Sequence, residues 1–132
     1  MITYYVSRDS VIQAKLQKEL DEALGPYDDA TNPVVSFEQA KRLPYLEAVI
    51  NETLRLHSTS GLGLPRVVPQ GGMTVLGKYF PEGTVLSVPT YSIHRNEHIW
   101  GDGVDRFRPE RWFEKDDTVL QKAFNPFSYG PR

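Results

Sequence analysis

The sequence predicts a mainly helical α+β fold: three helices toward the N-terminus, one small β-hairpin, then a long coil. Three observations predict it. Apolar residues recur at helical spacing as far as His57. Nine of the ten glycines and seven of the ten prolines lie beyond that point. Strand-forming runs occur between Thr74 and Val88.

The first helix spans about residues 10–24. Ser10 and Gln13 have capping-box spacing. Ile12, Leu16, Leu20 and Leu24 recur every four residues, and Gly25-Pro26 stops the helix. Tyr27–Val35 reads as a loop. Ser36 and Gln39 repeat the capping-box spacing ahead of a short helix over about 36–42. The third helix spans about 44–57 and opens on Pro44, where a first-turn proline is tolerated.

That third helix carries apolar residues on two stripes, Leu46-Ile50-Leu54-His57 and Tyr45-Val49-Glu52-Leu56, which marks it as buried. Glu52 and Arg55 stand one turn apart and face each other. On spacing alone such a pair is most often a surface ion pair worth under about 1 kcal/mol. On a buried helix both charges must be paired, and a third group from elsewhere is expected to complete the cluster.

Beyond His57, Thr74–Tyr79 and Thr84–Val88 read as a hairpin around Pro81-Glu82-Gly83. The region from about 65 to 132 is β and coil, with little periodicity after Pro89. It holds Trp100, Phe107, Trp112, Phe113, Phe124 and Phe127, too many aromatic residues for a disordered tail. They are expected to pack against protein outside this chain.

Composition excludes several functions. Net charge is −2, which argues against a nucleic-acid partner. No apolar run approaches the roughly 20 residues of a membrane span, so the chain itself looks soluble. There is no cysteine, hence neither disulfide nor thiolate metal site here. No nucleophile elbow and no phosphate-cradling glycine loop is present.

Two further motifs follow the Glu52-x-x-Arg55 helix. One is Phe107-Arg108-Pro109-Glu110-Arg111-Trp112; the other is Phe127-Ser128-Tyr129-Gly130-Pro131-Arg132. In this order and spacing the three resemble the cytochrome P450 (haem-thiolate monooxygenase) superfamily. That family has a Glu-x-x-Arg helix, a Pro-Glu-Arg-aromatic loop and a haem loop reading Phe-x-x-Gly-x-Arg-x-Cys-x-Gly. The resemblance covers essentially all of residues 1–132. It implies one piece of the C-terminal half of a single, longer cytochrome P450 domain, ending two residues before the family's cysteine. Leu54–Glu82 and Val88–Arg95 are most similar to the fungal benzoate para-hydroxylase group.

The resemblance implies roles for particular residues. Glu52, Arg55 and Arg111 would form a buried structural triad, with backbone carbonyls taking the remaining donors. Arg66 and Arg132 would grip haem propionates, since guanidinium binds carboxylate bidentately and stays charged when partly buried. Phe127 and Gly130 belong to the haem loop. Ser60, Gly61, Leu62, Gly63 and Leu64 would form a loop touching substrate, the glycines allowing close backbone approach. A substrate carboxylate would find its partner among the Ser58, Thr59 and Ser60 hydroxyls. No catalytic residue is expected in the chain. The complete protein would use haem, O2, a small aromatic substrate and an NADPH-dependent reductase, and would sit at the endoplasmic reticulum through an N-terminal anchor. Without the cysteine, this piece alone is expected to be inactive.

Two other readings compete. The chain could be a non-catalytic scaffold or interaction module. His94-Arg95-Asn96-Glu97-His98 also has the H-x-x-E-H pattern of inverted zinc proteases. That chemistry needs both histidines on one helix face and a further ligand. Asn96 favours a turn at the centre of the motif.

Overall fold

The computed structural model describes residues 1–25, 35–114 and 117–129. Apart from Val35, the loop expected over Tyr27–Val35 lies outside them, as do Gly130 and Arg132. A short helix the sequence analysis missed, α1 (Ile2–Val6), leads into α2 (Ser10–Leu24). The cap of α2 is Asp9, not Ser10: its carboxylate accepts the Val11 and Ile12 amides, and Ser10 is already helical. A charged acceptor one residue upstream outcompetes the serine hydroxyl. Gly25, with φ 82°, ends the helix.

Ser36 caps α3 (Phe37–Ala40) with the reciprocal Ser36–Gln39 capping box, and a turn carries the chain through Arg42. Helix α4 (Pro44–Leu56) is the centre of the molecule. Ala48, Val49, Glu52, Thr53, Arg55 and Leu56 are buried, while Leu46, Ile50 and Leu54 are partly so. His57 is its exposed C-cap. Val49 packs on Ile12 and Leu16 of α2, with Val6, Leu20, Tyr45, Leu46 and Phe107 around them. Each such side chain removed from water stabilises by roughly 1.5–3 kcal/mol.

The β region differs from the single hairpin the sequence suggests. Strand β2 (Met73–Val75) pairs antiparallel with β3 (Lys78–Phe80), and β1 (Arg66–Val67) pairs with β4 (Val85–Leu86). The tight turn is Leu76-Gly77, both with positive φ, the signature of a two-residue hairpin loop. Pro81–Gly83 instead passes the chain from one two-stranded sheet to the other. Leucine is a rare first residue in such a turn, so the signal lay in Gly77 alone.

After Pro89 the chain forms α5 (Thr90–Ile93), α6 (Glu97–Trp100), α7 (Arg111–Glu114) and α8 (Asp117–Ala123). Elements this short complete at most two turns and leave no periodicity to read. They build a second core from Trp100, Val104 and Leu120, with Trp112 and Phe124 against it. Phe107 stacks on Tyr5 with ring centroids 4.6 Å apart. Most of the aromatic residues expected to need an outside surface are therefore satisfied within the chain. Phe113 and Phe127 remain exposed.

Candidate functional site

Glu52, Arg55 and Arg111 converge with no solvent exposure. Arg55 donates from Nε to Glu52 Oε2 and from Nη2 to Glu52 Oε1, each at 2.8 Å, a bidentate fork. Arg111 Nε reaches Glu52 Oε1 at 3.4 Å from the far end of the chain. Two donors the sequence analysis did not name join them: the Arg108 amide on Oε1 and the Trp112 indole Nε1 on Oε2, both at 3.1 Å. Every partner of Glu52 is a donor, as an ionised carboxylate requires.

The remaining guanidinium donors go to backbone carbonyls. Arg55 Nη1 donates to His94 O at 2.7 Å and Nη2 to Arg106 O at 3.4 Å. Arg111 donates to Trp100 O and, at 3.1 Å, to Gly103 O. Burial pulls Arg111 below the usual guanidinium range, and the neighbouring Arg55 and Arg108 charges add to this while Glu52 opposes it. Among the described residues no buried side-chain polar atom lacks a partner. A half-satisfied ionic cluster would be costly; in this one every buried side-chain nitrogen and oxygen has at least one partner. It joins α4, the 94–106 segment and α7 into one unit.

The 58–64 loop leaves α4 and lies against the start of α5. The Ser60, Gly61 and Leu62 carbonyls accept from Thr90 Oγ1, the Tyr91 amide and Ser87 Oγ, at 2.7, 3.0 and 2.9 Å. With its backbone tied inward, the loop turns Leu62 outward, 88% exposed. Thr59 Oγ1 donates to Pro126 O at 2.8 Å. Since Thr90 spends its proton on Ser60 O, Ser58 donates in the 2.6 Å contact between their hydroxyls. The Ser60 hydroxyl alone of the three makes no side-chain hydrogen bond among the described residues.

Beside this loop Leu64, Arg66, Met73, Leu86, Ser87, Val88, Asn125, Ser128 and Tyr129 line an open cleft of about 350 Å³. Leu64, Val88 and Tyr129 are exposed there, with Phe127 exposed on the same 125–129 segment. Arg66 makes no ion pair among the described residues; its Nη1 reaches only the Pro65 carbonyl, at 3.4 Å. An apolar wall with an uncommitted guanidinium at its edge fits a flat apolar group that carries carboxylates on one side, as haem does.

The zinc arrangement is not assembled. His94 closes α5 and His98 lies in the separate α6, with Asn96 capping α6 between them. His94 is buried with both ring nitrogens engaged, and His98 is exposed. No group of three potential ligands gathers among the described residues. No described helix is long and apolar enough to cross a membrane.

The chain matches the cytochrome P450 family over residues 1–132 and belongs to it. It is similar to benzoate 4-monooxygenase bphA of Aspergillus niger, 46% identical across 99% of this chain and 25% of that protein. It is 40% identical to cytochrome P450 monooxygenase hepC of Aspergillus oryzae, across 99% of this chain and 26% of that one. Pisatin demethylase of Fusarium vanettenii is 39% identical, across 99% and 24%. The chain thus spans about a quarter of the length of these relatives.

Proposed function

We propose that the complete protein is a haem-thiolate monooxygenase that hydroxylates a small aromatic acid, benzoate first among candidates. This chain supplies its structural lock and one wall of its haem and substrate site. The observation that carries the reading is the buried Glu52–Arg55–Arg111 cluster, which ties α4, the 94–106 segment and α7 together; a separate apolar cleft lined in part by Arg66 is consistent with it. The 46% identity to benzoate 4-monooxygenase bphA motivates benzoate.

In the complete protein, haem held by a cysteine thiolate would supply oxygen activation, with electrons from an NADPH-dependent reductase. The residues here bind and orient. Arg66 would pair with one propionate, and the family resemblance gives Arg132 the same role. Phe127 and Gly130 would belong to the haem loop. Leu62 and Leu64 offer apolar surface to the substrate ring, and Gly63 keeps the backbone close. A buried substrate carboxylate needs a donor. Ser58 and Thr59 already spend theirs on Thr90 and Pro126, which leaves Ser60. A reticulum-membrane location through an N-terminal anchor belongs to the same reading.

Optical titration of the complete protein tests it. Benzoate should shift the haem Soret band to the blue, and Leu62→Phe should weaken the response by crowding the ring. No response to benzoate, with a clear one to a fatty acid or steroid, would reassign the substrate. This chain by itself contains no cysteine. Mixed with haem, reduced and exposed to carbon monoxide, it should not give the red-shifted Soret band of a thiolate complex.

A further inference from the structure

His94 is the one histidine with no exposure, and the function proposed above does not use it. Its surroundings fix its protonation by elimination. The Asn125 amide points at Nε2, 3.0 Å away. A backbone N–H can only donate, so Nε2 must offer its lone pair. In a neutral imidazole the proton then sits on Nδ1, which lies 3.1 Å from the Arg55 carbonyl, an acceptor. Both bonds form only in the Nδ1–H tautomer.

The two ends of this bridge matter. Arg55 O is one of the last carbonyls of α4, which have no partner within the helix. The adjacent Leu56 O is taken in the same way by Arg95 Nη2, at 2.9 Å. Asn125 lies two residues past the end of α8, in a segment that forms one side of the Arg66 cleft through Asn125, Ser128 and Tyr129. The next residue, Pro126, has no amide to donate, and its carbonyl is held by Thr59. Two points therefore tie this segment to the end of α4 and the loop beyond it. One of them is an imidazole.

We propose that His94 is the positioning residue of the 125–129 segment, fixing its backbone to α4 through an imidazole that works only as the neutral Nδ1–H tautomer. Because Arg55 also donates to the His94 carbonyl, the imidazole carries the placement of the Glu52 cluster to the cleft wall. Protonation removes the Nε2 acceptor and sets a cation among unfavourable neighbours. The charged groups facing the ring are the Arg55 guanidinium on α4 and that of the adjoining Arg95. Helix α6 presents the Trp100 ring at 5.9 Å, and the segment after α8 presents the Phe124 ring at 5.6 Å. Burial and the two guanidinium charges hold the imidazole below its ordinary range, which keeps the bridge intact near neutral pH. This inference stands whether or not the haem reading holds.

Amide substitutions separate the two bonds. Glutamine places an amide near Nε2, and asparagine places one near Nδ1. The test uses the full chain, 15N-labelled, and reads protection of the Asn125 amide from hydrogen exchange against that of Val68, which is held by Thr84 O in the β region. In the parent chain, Asn125 should lose about tenfold of its protection, relative to Val68, as His94 titrates in acid. His94→Gln should keep Asn125 protected and abolish that acid loss. His94→Asn should lose the protection at every pH. Equal protection in the asparagine variant and the parent, or no rescue by glutamine, overturns the proposal. Should neither variant fold, the imidazole 15N spectrum of the parent decides: a protonated Nδ1 with a bare Nε2 supports it, and the opposite tautomer sinks it.

Discussion

The Trp112 indole donates to Glu52 Oε2 at 3.1 Å, so the residue after the Pro-Glu-Arg motif belongs to the buried ionic cluster and not merely to the aromatic core. Five donors converge on one carboxylate, from Arg55 twice, Arg111, Arg108 and Trp112. Removing the acceptor strands all of them. Glu52→Ala should destabilise the chain by about 3–5 kcal/mol, the usual loss when a buried pair is broken from one side. Glu52→Gln should lose less but remain clearly destabilised, because its amide turns a donor toward other donors. Urea denaturation of the three chains measures this. Two variants within about 0.5 kcal/mol of the parent would assign the cluster to the surface class.

How much of this was legible in the sequence depends on the range of each interaction. Glu52 and Arg55 were legible because i,i+3 spacing is local. Their link to Arg111 came from resemblance, since no local rule reaches across some 60 residues. The Trp112 indole left a fainter signal: tryptophan is the one large aromatic residue of that motif with an N–H to give. The four helices after Pro89 were not legible, being too short for periodicity. Their second core rests on tertiary contacts among Trp100, Leu120 and Phe124 that no window of sequence contains. His94 was read as half of a zinc motif and as part of the family-like Val88–Arg95 stretch; neither reading gave its partners, which are two backbone groups, and backbone groups leave no trace in composition.

Glu19 provides a second case of long-range satisfaction. Its two carboxylate oxygens accept the Tyr45 and Leu46 amides at 2.8 Å each, capping α4 from within α2. Leu43, the residue at the N-cap position, has no side-chain acceptor. An anionic cap also complements the helix dipole. Glu19→Ala should cost about 1–2 kcal/mol, and Glu19→Gln about half that, since one carbonyl oxygen survives. Thermal or urea denaturation of the chain checks the ranking. A glutamine variant worse than alanine would contradict the cap.

Stability should fall in mild acid on account of His94. The unfolded chain takes up a proton there near the ordinary value of about 6.5. The folded chain does so only at lower pH, because burial, then the Arg55 and Arg95 charges, disfavour the cation. In that window the unfolded state binds more protons, so stability drops as pH falls and is regained as pH rises past the unfolded value. His94→Gln removes the titrating group. Its urea midpoint should therefore fall less than the parent's between neutral pH and the acid side of the window. Parallel pH profiles would show that His94 does not titrate differently on folding.

The two glycines of the 60–64 loop should respond differently to the same change. Gly63 has φ 77°, a left-handed conformation that disfavours any side chain. A Cβ there would also overlap the Val88 carbonyl oxygen and Ser87 Oγ. Neither obstacle gives easily: Val88 O is backbone, and Ser87 Oγ is committed to Leu62 O. Gly61 has no positive φ, and a Cβ there meets only Tyr91 Cβ, at 3.8 Å, an ordinary contact. Gly63→Ala should therefore destabilise the chain by at least about 2 kcal/mol, combining left-handed strain with overpacking. Gly61→Ala should stay within about 0.5 kcal/mol of the parent. The difference carries into the proposed site. Yielding at Gly63 means pushing the loop away from Val88, which displaces Leu64 from the cleft and moves the neighbouring Leu62. In the complete protein Gly63→Ala should weaken the Soret response to benzoate even where haem content is normal, while Gly61→Ala leaves it intact. Denaturation of the chain reads the first effect and optical titration the second. Equal tolerance at both positions would mean that Gly63 does not hold the loop against Val88.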